Sequence, residues 1–242
     1  MGPELVISLG KAANFAEIVS VKRMRWDEFA GRLVAEPPVS DDKSSQGWYC
    51  PAEFKPAYRD SENFVARYAL TFDYDKVSRD DVLKIEEVYH DYAHAIYTTW
   101  SHVKEQPRVR LVFPLSRPAT LEEFCAVTRK HGSRFDLEKL ARESDVPAQM
   151  MFLPSRRPSS TFRGRVNVGK WVDVDAVLAE YEDWHDKSQW PKRAQGDSVY
   201  TAEGLVSPLD KPGVVGAFCR AFPISVAIER FGLPYEKVSD GR

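Results

Sequence analysis

Cysteine is scarce in this chain and badly placed for pairing: Cys50, Cys125 and Cys219 stand far apart, odd in number, with no CxxC pair. A disulfide framework or a cysteine zinc site is therefore not expected, and a reduced, cytoplasmic setting is. Long apolar runs are missing too. None approaches the roughly 20 residues needed to cross a bilayer, and no charged-then-apolar leader opens the chain, so a soluble protein without a membrane partner is expected. Charge of one sign is also lacking. With 34 Lys and Arg against 36 Asp and Glu, the net charge is -2, and any basic surface for nucleic acid has to be local. There is no internal repeat and no low-complexity tract.

What is present is ordinary globular composition. The 242 residues are 43% hydrophobic and 29% charged, enough for one sizeable domain or a domain with a small appendage. Short strands are expected at 5–9 and 17–21, and a helix at 27–34. The clearest strand is YALTFDYD at 68–75, where Tyr68, Leu70, Phe72 and Tyr74 alternate with Ala69, Thr71, Asp73 and Asp75. Ser78 and Asp81 form a capping box for a helix expected over 79–94, and Thr120 with Glu123 opens another that should stop at Gly132. Between them, 95–100 and RVRLVFPL at 108–115 read as neighbouring strands. A helix is expected at 136–142, a buried strand at MMFL (150–153), and an amphipathic helix at 173–184. Strands and helices are interleaved, so the fold class is α+β, with a mixed or antiparallel sheet and helices packed on it.

The chemistry gathers around Asp73 and Asp75. Two carboxylates at i and i+2 on a strand share a face about 7 Å apart by strand rise. Aspartate is depleted from strand interiors, so the pair calls for a reason, and two divalent metals about 4 Å apart supply one. The bland reading is a strand that ends at Phe72 and leaves two solvated turn residues. Arg108 and Arg110 share a face of the next strand, and two guanidinium forks suit a triphosphate as well as they suit surface ion pairs. His102 lies on the turn between these strands. His90 and His94, at i and i+4, could sit on one helical face as metal ligands or as a solvated flank. Arg156, Arg163 and Arg165, with Phe162 among them, could track a nucleic-acid backbone or form a charged loop that binds nothing.

The ordered set TFDYD, SH at 101–102, PRVRLVFPLSRP and AQMMFLPSR resembles the archaeo-eukaryotic primase superfamily. Its similarity is to the primase-polymerase domain of phage and plasmid replication proteins, which often precedes a helicase of the virulence-associated E type. The resemblance covers about 45–157, with a tail at 211–242 (KPGVVGAFCRAFPISVAIERF). It implies an RRM-like catalytic core, DNA-dependent nucleotidyl transfer from NTP or dNTP on a single-stranded or primed template, and Mg2+ or Mn2+ held by Asp73 and Asp75. It also implies that His102, Arg108 and Arg110 line the nucleotide site. Trp100 stands where many members carry the Ser or Thr of Ser/Thr-x-His. For the third carboxylate, Asp145 is preferred to Glu143 and Asp136, because Pro147 favours an extended run from Asp145 into the 150–153 strand. A nuclease built on the same aspartates with His90 and His94 is one alternative, and a non-catalytic nucleic-acid-binding module another. The expected organisation is a catalytic domain at 1–186, a polar linker at 187–212, and a short helical tail at 213–242 leading into a C-terminal, helicase-type region.

Overall fold

The computed structural model describes residues 4–11, 16–56 and 58–194. The chain divides into two compact units, Met1–Gly196 and Asp197–Arg242. The expected tail and most of the expected linker lie outside the described residues. Residues 187–194, expected as the start of that linker, are folded onto the first unit. Lys187–Gln189 forms a 3-10 turn, and the Trp190 indole N–H donates to the Trp184 carbonyl at 2.8 Å.

Two antiparallel sheets organise the first unit. In chain order the strands are β1 (Leu5–Gly10), β2 (Ser20–Met24), β3 (Trp48–Cys50), β4 (Ala52–Phe54), β5 (Phe64–Tyr74), β6 (His94–Thr98), β7 (Val109–Ala119), β8 (Met151–Phe152) and β9 (Gly164–Asn167). The helices are α1 (Trp26–Val34), α2 (Arg79–Val88), α3 (Leu121–Gly132) and α4 (Val174–Leu178). The smaller sheet has the order β2-β1-β3-β8 and the larger β4-β5-β7-β6-β9. The α+β class with antiparallel sheets and packed helices is what the structure has.

The alternation in β5 decides which face meets which layer. Leu70, Phe72 and Tyr74, fully buried, join Leu111 and Phe113 of β7 in a core closed by Ile85 of α2, Phe124 and Val127 of α3, and Val177 of α4. Ala69 of β5, Val112 of β7 and Ala95 and Tyr97 of β6 face the other way, onto Leu5 and Ile7 of β1, Phe29 and Leu33 of α1, and Met151. Both capping boxes form as expected, at Ser78–Asp81 and Thr120–Glu123.

Several boundaries differ from the sequence expectation. The helix expected over 79–94 stops at Val88, because Ala93 donates to the Lys170 carbonyl and His94 begins β6. Sheet pairing has overridden the helical period. The helix expected over 173–184 is confined to Val174–Leu178, and the one expected at 136–142 is replaced by turns and a 3-10 turn at Arg142–Asp145. The strand expected at 17–21 lies at Ser20–Met24. β9 falls within the basic stretch. Its Gly164 allows close approach to α1, since a Cβ there would stand 2.8 Å from Val34 Cα.

Arg67 of β5 is fully buried and satisfied without a carboxylate. Its guanidinium donates to the carbonyls of Ala69, Pro147 and Gln149, to Thr71 Oγ1 and to Cys50 Sγ. The loop that follows the Arg142–Asp145 turn is thereby tied to the middle of β5. No described helix is long and apolar enough to cross a membrane.

Candidate active site

Strands β5, β7 and β6 lie side by side in register, Asp73 opposite Arg110 and Arg110 opposite Tyr97. The backbone of Asp73 turns away from β7. Its N–H donates to Ser144 Oγ at 3.1 Å, and its carbonyl accepts from the Ala141 N–H at 2.8 Å. Asp73 and Arg110 are thus a non-hydrogen-bonded cross-strand pair, the kind that brings side chains closest.

The side chains use that proximity. Arg110 grips Asp73 with both arms of its fork, Nε to Oδ1 at 2.5 Å and Nη2 to Oδ2 at 2.9 Å. Its remaining nitrogen donates to Tyr97 OH at 3.3 Å and to the Phe152 carbonyl at 3.2 Å. Two positions further along, past the Tyr74–Val109 pair, Arg108 Nη1 stands 3.3 Å from Asp75 Oδ1. The Asp-x-Asp strand end therefore faces an Arg-x-Arg strand start, acid against base at both positions.

The two pairs differ in environment. Asp73 and Arg110 are mostly buried, with side chains 17% and 11% exposed, whereas Asp75 and Arg108 are 48% and 33% exposed. Burial works against the Arg110 charge, but Asp73, Tyr97 and Tyr49 outweigh it and hold its pKa well above the ordinary value. Burial, then the Asp73 charge, raises the Asp75 pKa, against the pull of Arg108 and Arg110. A cation beside Asp75 would offset the Asp73 charge. Behind Arg110, the Tyr97 and Tyr49 hydroxyls are joined at 2.8 Å.

These groups line a cleft between the two sheets, whose other wall is Phe152, Leu153, Pro154 and Ser155, with Lys43, Thr99, Trp100 and Ser101 at its rim. Lys43 Nζ lies over the Phe152 ring, 5.3 Å from its centroid. Arg157 stacks on the outer side of the rim, 3.8 Å from the Trp100 ring centroid, and the Trp100 indole donates to the Ser40 carbonyl. Ser155 is buried, and its Oγ has no hydrogen-bond partner among the described residues. A buried hydroxyl in a residue that lines a polar cleft is a candidate to meet a ligand once the cleft adjusts.

Other expected residues fall in different places. His102 sits one residue beyond the rim, and its Nδ1 accepts from the Arg108 N–H at 3.2 Å. Burial and the Arg163 charge lower its pKa, and its ring holds the backbone of Arg108. Asp145 is not brought to Asp73 and Asp75. It ends the Arg142–Asp145 3-10 turn, and its Oδ2 pairs with Arg129 at 3.0 Å and Arg193 at 3.2 Å. Glu143, on the same turn, is exposed, and its charge reaches Asp75. Arg156 pairs with Glu36 and Arg165 with Glu86, while Arg163 is exposed next to β6.

His90 and His94 do not share a helical face. His90 is exposed and pairs with Asp91, whereas His94 is fully buried in β6. Neither lines the cleft, which removes the basis for the histidine-assisted nuclease reading.

Sequence reasoning missed Lys43, Tyr97 and Ser155. Lys43 lies in a polar loop with no local signal. Tyr97 joins the site only through its register with Arg110, which the sequence does not give, and Ser155 could have been found from its place just after the MMFL strand.

For a metal, the fit rests on donor chemistry. Asp73 and Asp75 supply only oxygen, the set preferred by Mg2+ or Mn2+, and Cys50 and Cys125 lie outside the cleft lining. Among the described residues no group of three or more His, Cys, Asp or Glu could hold a metal. Substrate oxygens and water would have to complete the coordination.

No curated protein matches the chain. Among solved structures, the AEP domain of the cyanophage S-2L primase-polymerase aligns at a TM-score of 0.42 and 9% identity, over 73% of this chain and 88% of that one. The family model for the VapE N-terminal domain matches residues 40–193, a span that begins before the cleft residue Lys43 and runs through both acid–arginine pairs to Arg193. The chain belongs to the VapE N-terminal domain family.

Proposed function

We propose that this domain is a metal-dependent nucleotidyltransferase of the primase-polymerase kind, joining an NTP or dNTP to a primer or initiating 3'-hydroxyl on a DNA template. One observation carries the reading: an Asp-x-Asp strand end registered against an Arg-x-Arg strand start at the mouth of a cleft. Arg110, Arg108 and Lys43 bind the triphosphate, the two forks bidentately and Lys43 as a point charge. Tyr97 and the Phe152 carbonyl keep the Arg110 fork oriented. Ser155 donates its free hydroxyl to the substrate, and His102 sets Arg108 through its backbone. Asp73 and Asp75 hold Mg2+ or Mn2+, which supplies Lewis-acid neutralisation of triphosphate charge when bound. Arg163, Arg165 and Arg156 take the template backbone. The region beyond residue 212 leads, on this reading, to a helicase-type module.

In the structure both arginines are already spent on the aspartates. A triphosphate on the two guanidiniums would leave Asp73 and Asp75 free to hold a cation, so the two ligands would favour one another. The same pairing supports a second reading, in which the acids are structural and the domain is a non-catalytic nucleic-acid-binding module of a replication protein. The deciding experiment incubates the full chain with Mn2+, a primed template and labelled dNTP. Primer extension is expected. A mobility shift without incorporation would favour the binding module, and breakdown of the strand would overturn both.

A further inference from the structure

The 3-10 turn Arg142–Asp145 lies directly against the end of β5. It accepts the Asp73 N–H through Ser144 Oγ, and the residue before it, Ala141, donates to the Asp73 carbonyl. Both backbone groups of the innermost carboxylate residue thus rest on this turn. A four-residue 3-10 turn has weak internal hydrogen bonds and needs side-chain anchors. Asp145 supplies one. Its carboxylate is held between Arg129 of α3 and Arg193, whose side chains are 7% and 2% exposed.

Arg193 reaches this place at the end of a segment docked by its own contacts. Arg129 Nη1 donates to the Pro191 carbonyl, and the Ala194 N–H donates to Glu138. A buried ion group of this kind is costly to assemble and costly to break, so it fixes geometry more than it adds stability. Metal ligands tolerate little displacement, since their geometry has to hold within about half an ångström.

We propose that Arg193 is a positioning residue. Through Asp145 it fixes the Arg142–Asp145 turn, and through Ser144 and Ala141 that turn fixes Asp73. The segment leaving the domain thereby sets the carboxylate. Asp145 acts here as the link between them, not as a third metal ligand. The consequence for cation binding rests on the function proposed above, whereas the mechanical link does not.

Amide hydrogen exchange by NMR on the full chain tests the link. By the ladder alternation, the Leu70 and Phe72 amides bond to β7, while the Asp73 amide bonds to the turn. Arg193→Met should speed exchange at Asp73 and Ala141 by roughly tenfold relative to Leu70 and Phe72. Arg193→Lys, which keeps the charge, should stay within about threefold of the parent on the same scale. Ser144→Ala, with Arg193 intact, should reproduce the Asp73 effect and serves if Arg193→Met does not fold. A uniform rise along β5, or none at Asp73, overturns the proposal. Calorimetry with Mn2+ and a non-hydrolysable dNTP reads the consequence. Arg193→Met should bind roughly tenfold more weakly and Arg193→Lys near the parent value. Parent-like affinity in Arg193→Met overturns the positioning role. If the parent itself binds no Mn2+-nucleotide, the functional reading fails, and the exchange pattern still decides the link.

Discussion

The two faces of the five-stranded sheet are made by alternate residues of the same strands, yet they are built on opposite principles. Toward α2, α3 and α4, Leu70, Phe72, Tyr74, Leu111 and Phe113 pack into a largely apolar core that also encloses two buried histidines, His94 and His131. Toward the smaller sheet, the face is apolar at Ala69, Val112 and Ala95 and then becomes ionic at Asp73 and Arg110, where it reaches the cleft. One face uses burial for stability. The other gives up part of that burial to keep four charged groups in fixed order. Substitutions on the two faces should therefore separate loss of chemistry from loss of fold.

The largest separation is expected at the acids. Asp75→Asn should abolish incorporation, by about a thousandfold or more in primer extension, which is roughly 4 kcal/mol of transition-state stabilisation. Its effect on unfolding should be under about 1 kcal/mol, because the pair it makes with Arg108 is half exposed. Asp73→Ala should lose incorporation equally and also destabilise the fold, by about 3–5 kcal/mol in denaturant, since it leaves Arg110 buried without its partner. Adding Arg110→Met should recover most of that stability and none of the activity. If Asp73→Ala and Asp75→Asn prove equally stable, the difference drawn between the two pairs is wrong.

The helix face should show itself through pH instead. His131 is enclosed by Phe72, Phe113, Tyr89 and Tyr92, and burial, with the charges of Arg134, His94 and Lys170, lowers its pKa to about 3. The pKa of His94 is lowered by burial as well. A histidine whose folded pKa lies below its unfolded one binds more protons when unfolded, so stability falls as pH drops from about 6.5 towards 3. For His131 alone the loss at pH 5 is about 2 kcal/mol. Chemical denaturation at pH 7 and pH 5 should show it, and His131→Phe should flatten the dependence. An unchanged slope in that variant would mean that other groups set it.

The ionic face should also couple its ligands. Because Arg110 occupies both oxygens of Asp73, Mn2+ alone should bind weakly, and a non-hydrolysable dNTP should tighten it by about tenfold or more. Linkage requires the same factor for the nucleotide when Mn2+ is present. Calorimetry in both orders checks this, and independent binding would break the argument that the two ligands favour one another.

How much of this was legible depended on whether the signal was local. The alternation from Ala69 to Asp75 places both aspartates opposite the Leu70, Phe72 and Tyr74 face, as expected, whereas Tyr68, expected on that same face, lies at the irregularity between Arg67 and Ala69 and packs with the other core. The capping boxes at Ser78 and Thr120 are likewise complete within four residues. What could not be read is register. Nothing near Asp73 says that its partner 37 positions on is Arg110 and not a phosphate. The short strands β3 and β9 exist only because distant partners complete them. His94 satisfies a helical period yet is taken by β6. Asp145 has the right type and neighbourhood for a ligand, but Arg129 and, from 48 residues away, Arg193 take its carboxylate.

The smallest effect is expected outside both faces, along the outer strand β9, and it asks whether the ionic face ends at the cleft. Arg163 and Arg165 flank Gly164 at the sheet's edge, and the Arg165 side chain, 56% exposed in its bridge to Glu86, can exchange that partner for a phosphate. Arg156 is less free, being 27% exposed and paired with Glu36. If these residues take single-stranded template, each of Arg163→Ala and Arg165→Ala should weaken DNA binding a few-fold and lower the slope of log affinity against log salt by about 0.7. Arg156→Ala should do less. None of the three should change Mn2+-dependent nucleotide affinity, whereas Arg110→Ala should weaken nucleotide binding and leave the salt slope for DNA intact. Fluorescence anisotropy over a salt series, run beside nucleotide calorimetry, gives both numbers for each variant. Identical profiles for Arg110→Ala and Arg163→Ala would merge the two sites into one and remove the distinction between cleft and edge.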